Sequence, residues 1–589
     1  MGVILSSGYS HFGAAGQWRD AGTRYDPLSN GRRNDLRDRL LVTVSPEFTE
    51  VLPNIPNPRS VNHLRAADCT YVMYGGPTPN FWRVLARYGL ERVIAMDFGH
   101  FWDTIPGDGF ASRWRPRPGV TEADLAAYRQ GVEDLGFLFG LLLEYTDYFP
   151  VNEFWDENKV SLQSDGDWKL GWYGHYRAKP NAYRFLAKQV GTRIAARYPT
   201  DAVYMDVHTN LDLIAQDYEA GVPGAGMARE SVLYNGEGIL ETQRHGGIVC
   251  SEGISRCLYA GLTDLDYGTW YARGTPSELP ILPDYDLLKI HPLAHGTGMG
   301  YNPSAFFAEK AANALFGDAG GSLAPPEFYQ YLAATIAHGH MAILGYNYFP
   351  PPARLLQYYC LLHGLQQEYL TDTVVDIRRH DGMRFVSTSE MLKHGGIEQG
   401  RIKITYSRGL QVYVNYHRQQ PWELELDGRQ WVLPPDGWIA EQPGRLLAFS
   451  ALVGGRRLDY VSCPAYLYLN SNGEPQTFGG LTVKGAVFVK RSPEGLQVTP
   501  CGDLGSWRLV PTEGFPFWQD RAWPEPPADR GCGEITLDLA ALLPGCEPAQ
   551  ATVTGRGREG QAAAVKSRRQ GNLLILSPAA DWLDCLVKP

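Results

Sequence analysis

Between residues 61 and 375 the sequence alternates short apolar segments with longer amphipathic ones. The short segments have the length and continuous apolar character of strands that are covered on both faces of a parallel sheet. The longer segments have helical spacing, and one of them opens at Thr121 with Thr-x-x-Asp, which can cap free helix amides. Eight strands separated by helices predict a (β/α)₈ TIM-type barrel, and the candidates are 70–74, 93–97, 137–145, 202–207, 248–252, 262–267, 286–290 and 341–346.

The pattern changes near residue 376. Short alternating strands, such as 402–406, 410–416 and 448–453, recur between turns that contain Gly and Pro. This pattern is typical of all-β sandwich domains. We therefore predict four parts: an N-terminal arm packed on the barrel (1–60), the catalytic barrel (61–375), a β-sandwich (376–480) and a second small β-rich unit (481–589).

Composition excludes several classes of partner. The 589 residues carry a net charge of −10 without a Lys/Arg block, which argues against nucleic acid and anionic membranes. We find no signal peptide and no apolar run long enough to cross a bilayer. The nine cysteines are scattered and lack a Cys-x-x-Cys pair, so buried free thiols and a cytoplasmic location are expected.

Two of the strand candidates end in a carboxylate. The stretch 201–210 begins apolar and turns polar at Asp206, and the stretch 247–253 has the same design with Glu252. Barrel enzymes present catalytic groups at the carboxyl ends of their strands. A lone Asp in this position can equally cap the turn after its strand. Two neighbouring strands that each deliver a carboxylate favour a paired-carboxylate site.

Paired carboxylates are the usual equipment of glycoside hydrolases. One attacks the anomeric carbon or holds a water, and the other, with a raised pKa, protonates the leaving oxygen. Adjacent barrel strands suit the separation of roughly 5–5.5 Å that a retaining mechanism needs. The strand order makes Asp206 the nucleophile and Glu252 the acid/base. Asp264 and Asp266 are rivals, and each can instead bind a sugar hydroxyl.

Four short stretches of the barrel segment resemble retaining α-glycosidases that release N-acetylgalactosamine, glycoside hydrolase families 101 and 129. They are Phe98-Gly99-His100-Phe101-Trp102, Glu144-Tyr145-Thr146-Asp147-Tyr148-Phe149-Pro150, Tyr204-Met205-Asp206-Val207-His208 and Ser251-Glu252-Gly253. The resemblance implies that the Asp after the fourth strand is the nucleophile and the Glu after the next strand the acid/base, which are Asp206 and Glu252. The chain is far shorter than the endo-acting members, which speaks against release of a mucin-type disaccharide.

Further residues near the predicted strand ends and in the long connections are candidates for substrate binding. Aromatic rings can stack on a sugar, and a carboxylate can accept hydrogen bonds from two sugar hydroxyls. Loop packing, a structural turn and a buried histidine bonded to backbone are the alternatives for these residue types. The predicted substrate-binding residues are Trp102, Tyr145, Asp147, Trp172, His208 and Asp266.

Metal chemistry has weaker support. His291 and His295 are four apart and His338 and His340 two apart, but neither pair has the Glu of a His-Glu-x-x-His motif. No cofactor is therefore expected. A structural calcium on the oxygens of the turn 164–167 is conceivable, with a plain Asp-Gly turn at Asp165 and Asp167 as the alternative.

The predicted function is that of a retaining glycoside hydrolase that cleaves an α-linked galacto-configured sugar, galactose or N-acetylgalactosamine, from a glycan by double displacement. Its partner is then a carbohydrate. The alternatives are a glycosidase with another sugar specificity and a non-catalytic carbohydrate-binding protein that has kept the groove of a barrel.

Overall fold

The structure, a computed structural model, divides into two compact units. The first comprises 1–78, 92–270 and 284–301, and the second 79–91, 271–283 and 302–589. The residues that the structure describes are 26–34, 42–72, 82–83, 85–86, 88–97, 101–102, 114–171, 174–209, 215–253, 256–267, 276–299, 306–307, 325–344, 352–502, 510–511, 521–522, 533–557, 560–579 and 582–589.

A parallel sheet forms the centre of the predicted barrel segment. Its strands are β1 (Thr70–Val72), β2 (Val93–Asp97), β3 (Leu138–Leu143), β4 (Ala202–Met205), β5 (Ile248–Glu252), β6 (Leu265–Tyr267), β7 (His295–Thr297) and β8 (Ile343–Leu344). The sheet order is β8-β1-β2-β3-β4-β5-β6-β7, and every pair from β1 to β7 is parallel. The predicted fold class, a (β/α)₈ barrel followed by β domains, is confirmed.

One predicted barrel strand is wrong. Asp286–Ile290 forms a π-helical turn, and the strand after β6 is instead His295–Thr297. In the turn, Leu287 and Ile290 are buried while the residues between them are partly exposed. Burial at a spacing of three residues is helical, whereas a strand would alternate. The predicted count of eight strands therefore came from one false strand and one missed strand.

Helices connect the strands of the first unit at the predicted places. The Thr121 side chain accepts the Asp124 amide while Asp124 bonds back to the Thr121 amide, so the predicted capping box is present. The helices of this unit in the described ranges are Phe48–Val51, His63–Ala67, Glu122–Glu133, Tyr183–Arg197, Ala228–Gly246 and Arg256–Tyr259, with 3₁₀ turns at Glu157–Lys159 and Pro180–Ala182.

The second unit contains four further α-helices in its described part, Pro325–Ala337, Pro352–Tyr369, Thr388–His394 and Leu539–Leu542. It also contains two large antiparallel sheets and a two-stranded antiparallel ribbon, Val510–Pro511 with Arg521–Ala522. The larger sheet has 15 strands: Val374–His380, Phe385–Ser387, Arg401–Tyr406, Gln411–Asn415, Trp422–Leu426, Arg429–Leu433, Gly437–Gln442, Leu446–Val453, Arg456–Ser462, Tyr466–Asn470, Ala486–Ser492, Gly495–Gly502, Thr552–Gly557, Ala562–Ala563 and Trp582–Lys588. The smaller sheet has five: Gln476–Phe478, Leu481–Val483, Ile535–Asp538, Lys566–Gln570 and Leu573–Ser577.

A single hydrophobic cluster lies between these two sheets. Phe449 and Leu469 contribute from the larger sheet, and Leu481, Leu537 and Leu574 from the smaller one. Two sheets that share one apolar core form a sandwich. The cluster contains residues from both sides of position 480, while the predicted domain boundaries stay a prediction.

The described cysteines are all free, and Cys69, Cys250 and Cys360 are buried as expected from their apolar surroundings. Within the described residues, no helix combines the length and apolar character needed to cross a membrane.

Candidate active site

The two predicted catalytic residues lie on neighbouring strands at the carboxyl end of the parallel sheet. Met205 of β4 is opposite Leu143 of β3 and opposite Ser251 of β5. Asp206 and Glu252 each follow one position later, so they are level with one another on neighbouring strands. The register of β4 and β5 therefore places Asp206 and Glu252 at the same height of the sheet.

A tight turn presents the Asp206 side chain. The His208 amide donates to the Asp206 carbonyl at 2.7 Å, which closes a three-residue turn around Val207. Val207 has a φ of 52°, a left-handed conformation that a β-branched residue rarely adopts. Such backbone outliers cost on the order of 1–3 kcal/mol and cluster at functional sites.

The two carboxylate oxygens of Asp206 have different surroundings. Oδ1 accepts hydrogen bonds from the Tyr204 hydroxyl at 2.8 Å and from the Val207 amide at 3.1 Å. Within the described part of the chain, no group donates to Oδ2. Donors therefore hold one oxygen of Asp206 in place, and the other oxygen has no donor among the described residues.

Burial raises the pKa of Asp206, and the hydrogen bonds from Tyr204 and Val207 act in the opposite direction. The negative charge of Asp147 raises this pKa further. Tyr204 is itself fixed by a hydrogen bond between its hydroxyl and that of Tyr267, with the two rings stacked at 5.8 Å. The tyrosine pair orients the donor that favours the ionised form of Asp206.

Glu252 is the last residue of β5 and is partly exposed. Its carbonyl accepts the Thr209 hydroxyl, so the loop after β4 is tied to the end of β5. Thr209 also lies 3.2 Å from Oδ1 of Asp266, whose Oδ2 accepts the Thr263 hydroxyl at 2.6 Å. Asp266 is buried, and its two oxygens contact Thr209, which follows β4, and Thr263, which precedes β6.

Asp147 lies in a short ribbon after β3, where Asp147–Tyr148 pairs with Tyr176–Arg177. The Arg177 guanidinium is 3.3 Å from its carboxylate, and the Thr146 hydroxyl is 2.9 Å from Oδ2. A Cβ at Gly171 would lie only 1.5 Å from Oδ1 of Asp147. The site therefore requires glycine at position 171, which packs directly against this carboxylate.

His208 is buried, and both of its ring nitrogens make hydrogen bonds. Its Nε2 accepts the Tyr145 amide at 3.1 Å, and its Nδ1 donates to the Asn235 side-chain oxygen at 2.5 Å. Burial lowers its pKa to about 4, so the ring is neutral at physiological pH. These contacts favour the alternative of a buried histidine bonded to backbone. Tyr145 is fully buried beside it, with ring centroids 5.6 Å apart.

The predicted aromatic wall is only partly described. Trp102 is 1% exposed and packs edge-on against Tyr198, so the described contacts place it in the packed interior. Trp172 lies outside the described residues. Two other tryptophans of the long connections, Trp155 and Trp168, which the sequence also offers as a wall of a sugar subsite with loop packing as the alternative, form a cluster of partly exposed rings with Tyr176 on the connection after β3.

The metal-binding alternatives gain no geometric support. Within the described residues, no group of three or more His, Cys, Asp and Glu side chains is arranged to hold an ion. His295 is buried against His63, with ring centroids 4.1 Å apart. At the calcium candidate, Oδ1 of Asp165 accepts the Asp167 amide at 3.0 Å, as in an Asx turn. The cofactor expectation stays a prediction.

The predicted site residues do not include three residues of the site, Glu144, Thr146 and Arg177. Glu144 follows β3 directly, and the polar residue after a buried strand could have identified it. Thr146 and Arg177 carried no such signal, because their importance depends on the pairing of two distant segments in the ribbon.

No protein-family model matches the sequence, and no curated protein matches it significantly. Solved structures with a similar fold include the ligand-free α-N-acetylgalactosaminidase NagBb from Bifidobacterium bifidum, at 15% identity and a TM-score of 0.44, covering 63% of this chain and 59% of that chain. The GH36 α-galactosidase AgaA from Geobacillus stearothermophilus in complex with stachyose has 13% identity and a TM-score of 0.40, covering 63% and 51%. The α-amylase from Geobacillus thermoleovorans has 10% identity and a TM-score of 0.36, covering 64% and 99%.

This chain thus spans less than two thirds of the length of NagBb and AgaA. NagBb has the activity named in the motif resemblance. The identities and TM-scores are too low to assign a substrate or a mechanism to this chain.

Proposed function

We propose that this protein is a retaining glycoside hydrolase that acts on an α-linked galacto-configured sugar. Asp206 is the nucleophile, and Glu252 is the general acid and then the general base. The observation that carries the proposal is the level placement of these two residues after neighbouring parallel strands. Such strands lie about 4.7–4.9 Å apart, which is compatible with the roughly 5–5.5 Å between the carboxyl groups of retaining enzymes.

The surroundings of Asp206 suit attack on an anomeric carbon. Two donors hold Oδ1, which leaves the lone pairs of Oδ2 for bond formation. In the first step the Asp206–carbon bond forms as the glycosidic bond breaks, and the Glu252 proton passes to the leaving oxygen. In the second step Glu252 takes a proton from water, the water oxygen bonds to the anomeric carbon and Asp206 is released.

Asp147 and Arg177 supply the polar wall beside the nucleophile. Asp147 is 2% exposed, and the Arg177 guanidinium and the Thr146 hydroxyl lie against its Oδ2, which fixes the orientation of this carboxylate. Its proposed role is to accept hydrogen bonds from sugar hydroxyls. The motif resemblance implies a galacto-configured sugar, so glycosides of galactose and N-acetylgalactosamine are tested first.

The test is hydrolysis of aryl α- and β-glycosides of galactose, N-acetylgalactosamine, glucose and N-acetylglucosamine by the wild type, Asp206→Asn and Glu252→Gln. We expect release from an α-galactoside or α-N-acetylgalactosaminide by the wild type only. Proton NMR of the first product should show the α anomer, as retention requires.

First appearance of the β anomer would replace the retaining mechanism with an inverting one. Release from a different sugar would retain the enzyme class and correct the specificity. If no glycoside is cleaved while galactose or N-acetylgalactosamine binds measurably, the protein is a carbohydrate-binding protein and the proposal is wrong.

A further inference from the structure

Glu144 is the neighbour of Asp206 on the other side from Glu252. Leu143 of β3 is opposite Met205 of β4, so Glu144 and Asp206 come next on their chains at the same height. Glu144 is 2% exposed, and Asp206 is among the charges that act on it. Two level, desolvated carboxyl groups on adjacent strands cannot both ionise cheaply.

The hydrogen bonds of Thr146 show where a proton must lie. Its hydroxyl is in contact with Oε1 of Glu144 and is 2.9 Å from Oδ2 of Asp147. A hydroxyl has one proton to donate and lone pairs with which to accept. If both carboxyls were ionised, one of these two contacts would set two acceptors against each other. One of the two carboxyl groups therefore donates a proton to Thr146.

Arg177 decides which of the two it is. Its guanidinium is 3.3 Å from the Asp147 carboxylate, which favours the ionised form of Asp147. The consistent arrangement is a chain in which the Glu144 carboxyl donates to Thr146 and the Thr146 hydroxyl donates to Asp147. Oε2 of Glu144 is buried and has no hydrogen-bond partner within the part of the chain that the structure describes, which a neutral acid tolerates better than a carboxylate.

The other titratable groups around Glu144 agree with this arrangement. Burial raises the pKa of Glu144 well above its ordinary value, and Asp147 and Asp206 raise it further, whereas Arg177 and the hydrogen bond that the Thr146 backbone amide donates to Oε1 lower it. The tyrosines that interact with Glu144 are Tyr145 and Tyr183. Burial raises the pKa of each phenol above its ordinary value, so both stay neutral.

We propose that Glu144 is a positioning residue that keeps its proton in the working enzyme, so that Asp206 alone carries the negative charge of this carboxyl pair. The proposal rests on the proposed function of Asp206 as the nucleophile. Its physical content is a division of roles between two adjacent acids. The neutral one orders Thr146 and Asp147, and the ionised one is free to attack.

The first test does not require activity. The full-length protein is made with glutamate labelled with ¹³C at the side-chain carboxyl, and the infrared carbonyl band of protonated labelled acid is recorded at pH values around neutrality. Asp217, Asp264 and Asp436, whose pKa values burial also raises, are not labelled and do not contribute. Glu252, the proposed general acid, and Glu441, whose pKa burial raises, are labelled as well, so the spectrum of the wild type is compared with those of labelled Glu144→Gln and Glu252→Gln. We expect a protonated glutamate component at neutral pH that is lost in Glu144→Gln and kept in Glu252→Gln. A protonated glutamate band that is unchanged in Glu144→Gln would overturn the proposal.

The second test is the pH profile of kcat/KM. Glutamine is isosteric with the neutral acid and can donate to Thr146, so Glu144→Gln should lose less than about tenfold and Glu144→Ala considerably more. The acid limb, which reports ionisation of Asp206, should have the same midpoint in wild type and Glu144→Gln. If Glu144 is ionised in the wild type, removing its charge would lower the pKa of Asp206 and move that limb to lower pH, and the proposal would be wrong.

The two proposals can fail separately. A wild type that cleaves no glycoside removes the proposed function, and with it the catalytic meaning of the proton on Glu144. The infrared difference between wild type and Glu144→Gln still decides whether the proton is on Glu144. A cleaving enzyme that shows no such difference retains the proposed function and loses the role of Glu144.

Discussion

Asp206 and Asp264 lie at opposite ends of the same parallel sheet, and their surroundings differ. Asp206 follows β4 at the carboxyl end, and Asp264 precedes β6 at the amino end. Both oxygens of Asp264 are saturated by donors from distant segments: the Ser60 hydroxyl, the Asn62 and Gln243 amides and the Val249 backbone amide. Only Oδ1 of Asp206 is held by donors of the described chain, and its neighbour Val207 is strained.

The difference shows how one sheet divides stability and chemistry. At the amino end, hydrogen bonds between polar groups hold the segment 57–62 against the sheet. Asn57 of this segment also donates to the carbonyls of Leu258 and Ala260. At the carboxyl end, Oδ2 of Asp206 has no donor among the described residues, and Val207 keeps a costly backbone conformation. In barrel enzymes the first end serves stability and the second catalysis. Asp264, a rival for a catalytic role on sequence grounds, is better described as a structural carboxylate.

The largest effect is expected for Asp206→Asn. The amide oxygen can still accept from Tyr204 and Val207, so the fold should be intact, but the nucleophile is lost. We expect kcat/KM to fall by about 10⁴-fold and the free energy of unfolding to change by less than about 1 kcal/mol. Glycoside kinetics and urea unfolding measure the two effects. A variant that unfolds easily but retains activity would make Asp206 a structural carboxylate like Asp264.

Gly171→Ala tests whether the carboxyl end needs its geometry. The new Cβ would lie 1.5 Å from Oδ1 of Asp147 and must displace that carboxylate from Arg177. A displacement of this size costs about 10²-fold in kcat/KM when the group positions the substrate. Gly166→Ala is the control, because its Cβ meets open space and only its φ of 93° opposes alanine.

The control should retain full activity and lose on the order of 1–2 kcal/mol of stability. Equal kcat/KM for the two alanine variants would exclude Asp147 from substrate binding.

Asp264→Asn should show the reverse of Asp206→Asn. An amide nitrogen in place of one oxygen faces donors, so about 2 kcal/mol of stability is lost at neutral pH while kcat/KM is retained. The loss should depend on pH. Burial raises the pKa of Asp264 to about 6 from 3.8, so the folded wild type binds this proton more tightly than the unfolded chain.

The wild type is therefore stabilised below about pH 4 and loses this contribution as pH rises through about 6, by about 3 kcal/mol in all. Asp264→Asn lacks this dependence, so the difference in free energy of unfolding between wild type and variant should shrink as pH rises from about 4 to about 6. Urea unfolding at intervals across that window measures it. A difference that is constant with pH would contradict the raised pKa.

The smallest effect is expected for Ser60→Ala, which removes one donor to Asp264. Its hydroxyl also accepts the Asn62 amide at 3.1 Å. We expect a loss of about 1 kcal/mol with unchanged kcat/KM. Ser45→Ala is a matched control, since Ser45 is partly exposed and bonds only to Glu47 and Glu50 among the described residues, and it should change stability by less than about 0.5 kcal/mol. Equal losses in both would remove the special role of the amino-end cluster.

The elements that the sequence predicts well are those with a strong local pattern. Val93–Asp97 matches its predicted strand, and the helix opened by Thr121 has its predicted cap. His295–Thr297 was missed because three residues of mixed character have no periodicity, and their strand depends on pairing with β6. The π-helical turn at Asp286–Ile290 has a short apolar run that resembles a strand.

The alternation of strands and helices, and the positions of Asp206 and Glu252 at the ends of neighbouring strands, can be predicted from the sequence alone, because both depend on residues close together along the chain. Which carboxylates are saturated with donors, and which oxygen has none among the described residues, depends on the tertiary structure. The donors to Asp264 come from positions 60, 62, 243 and 249, and the partner of Asp147 comes from position 177. Hydrogen-bond satisfaction is a sum over groups that folding brings together, so no local pattern contains it.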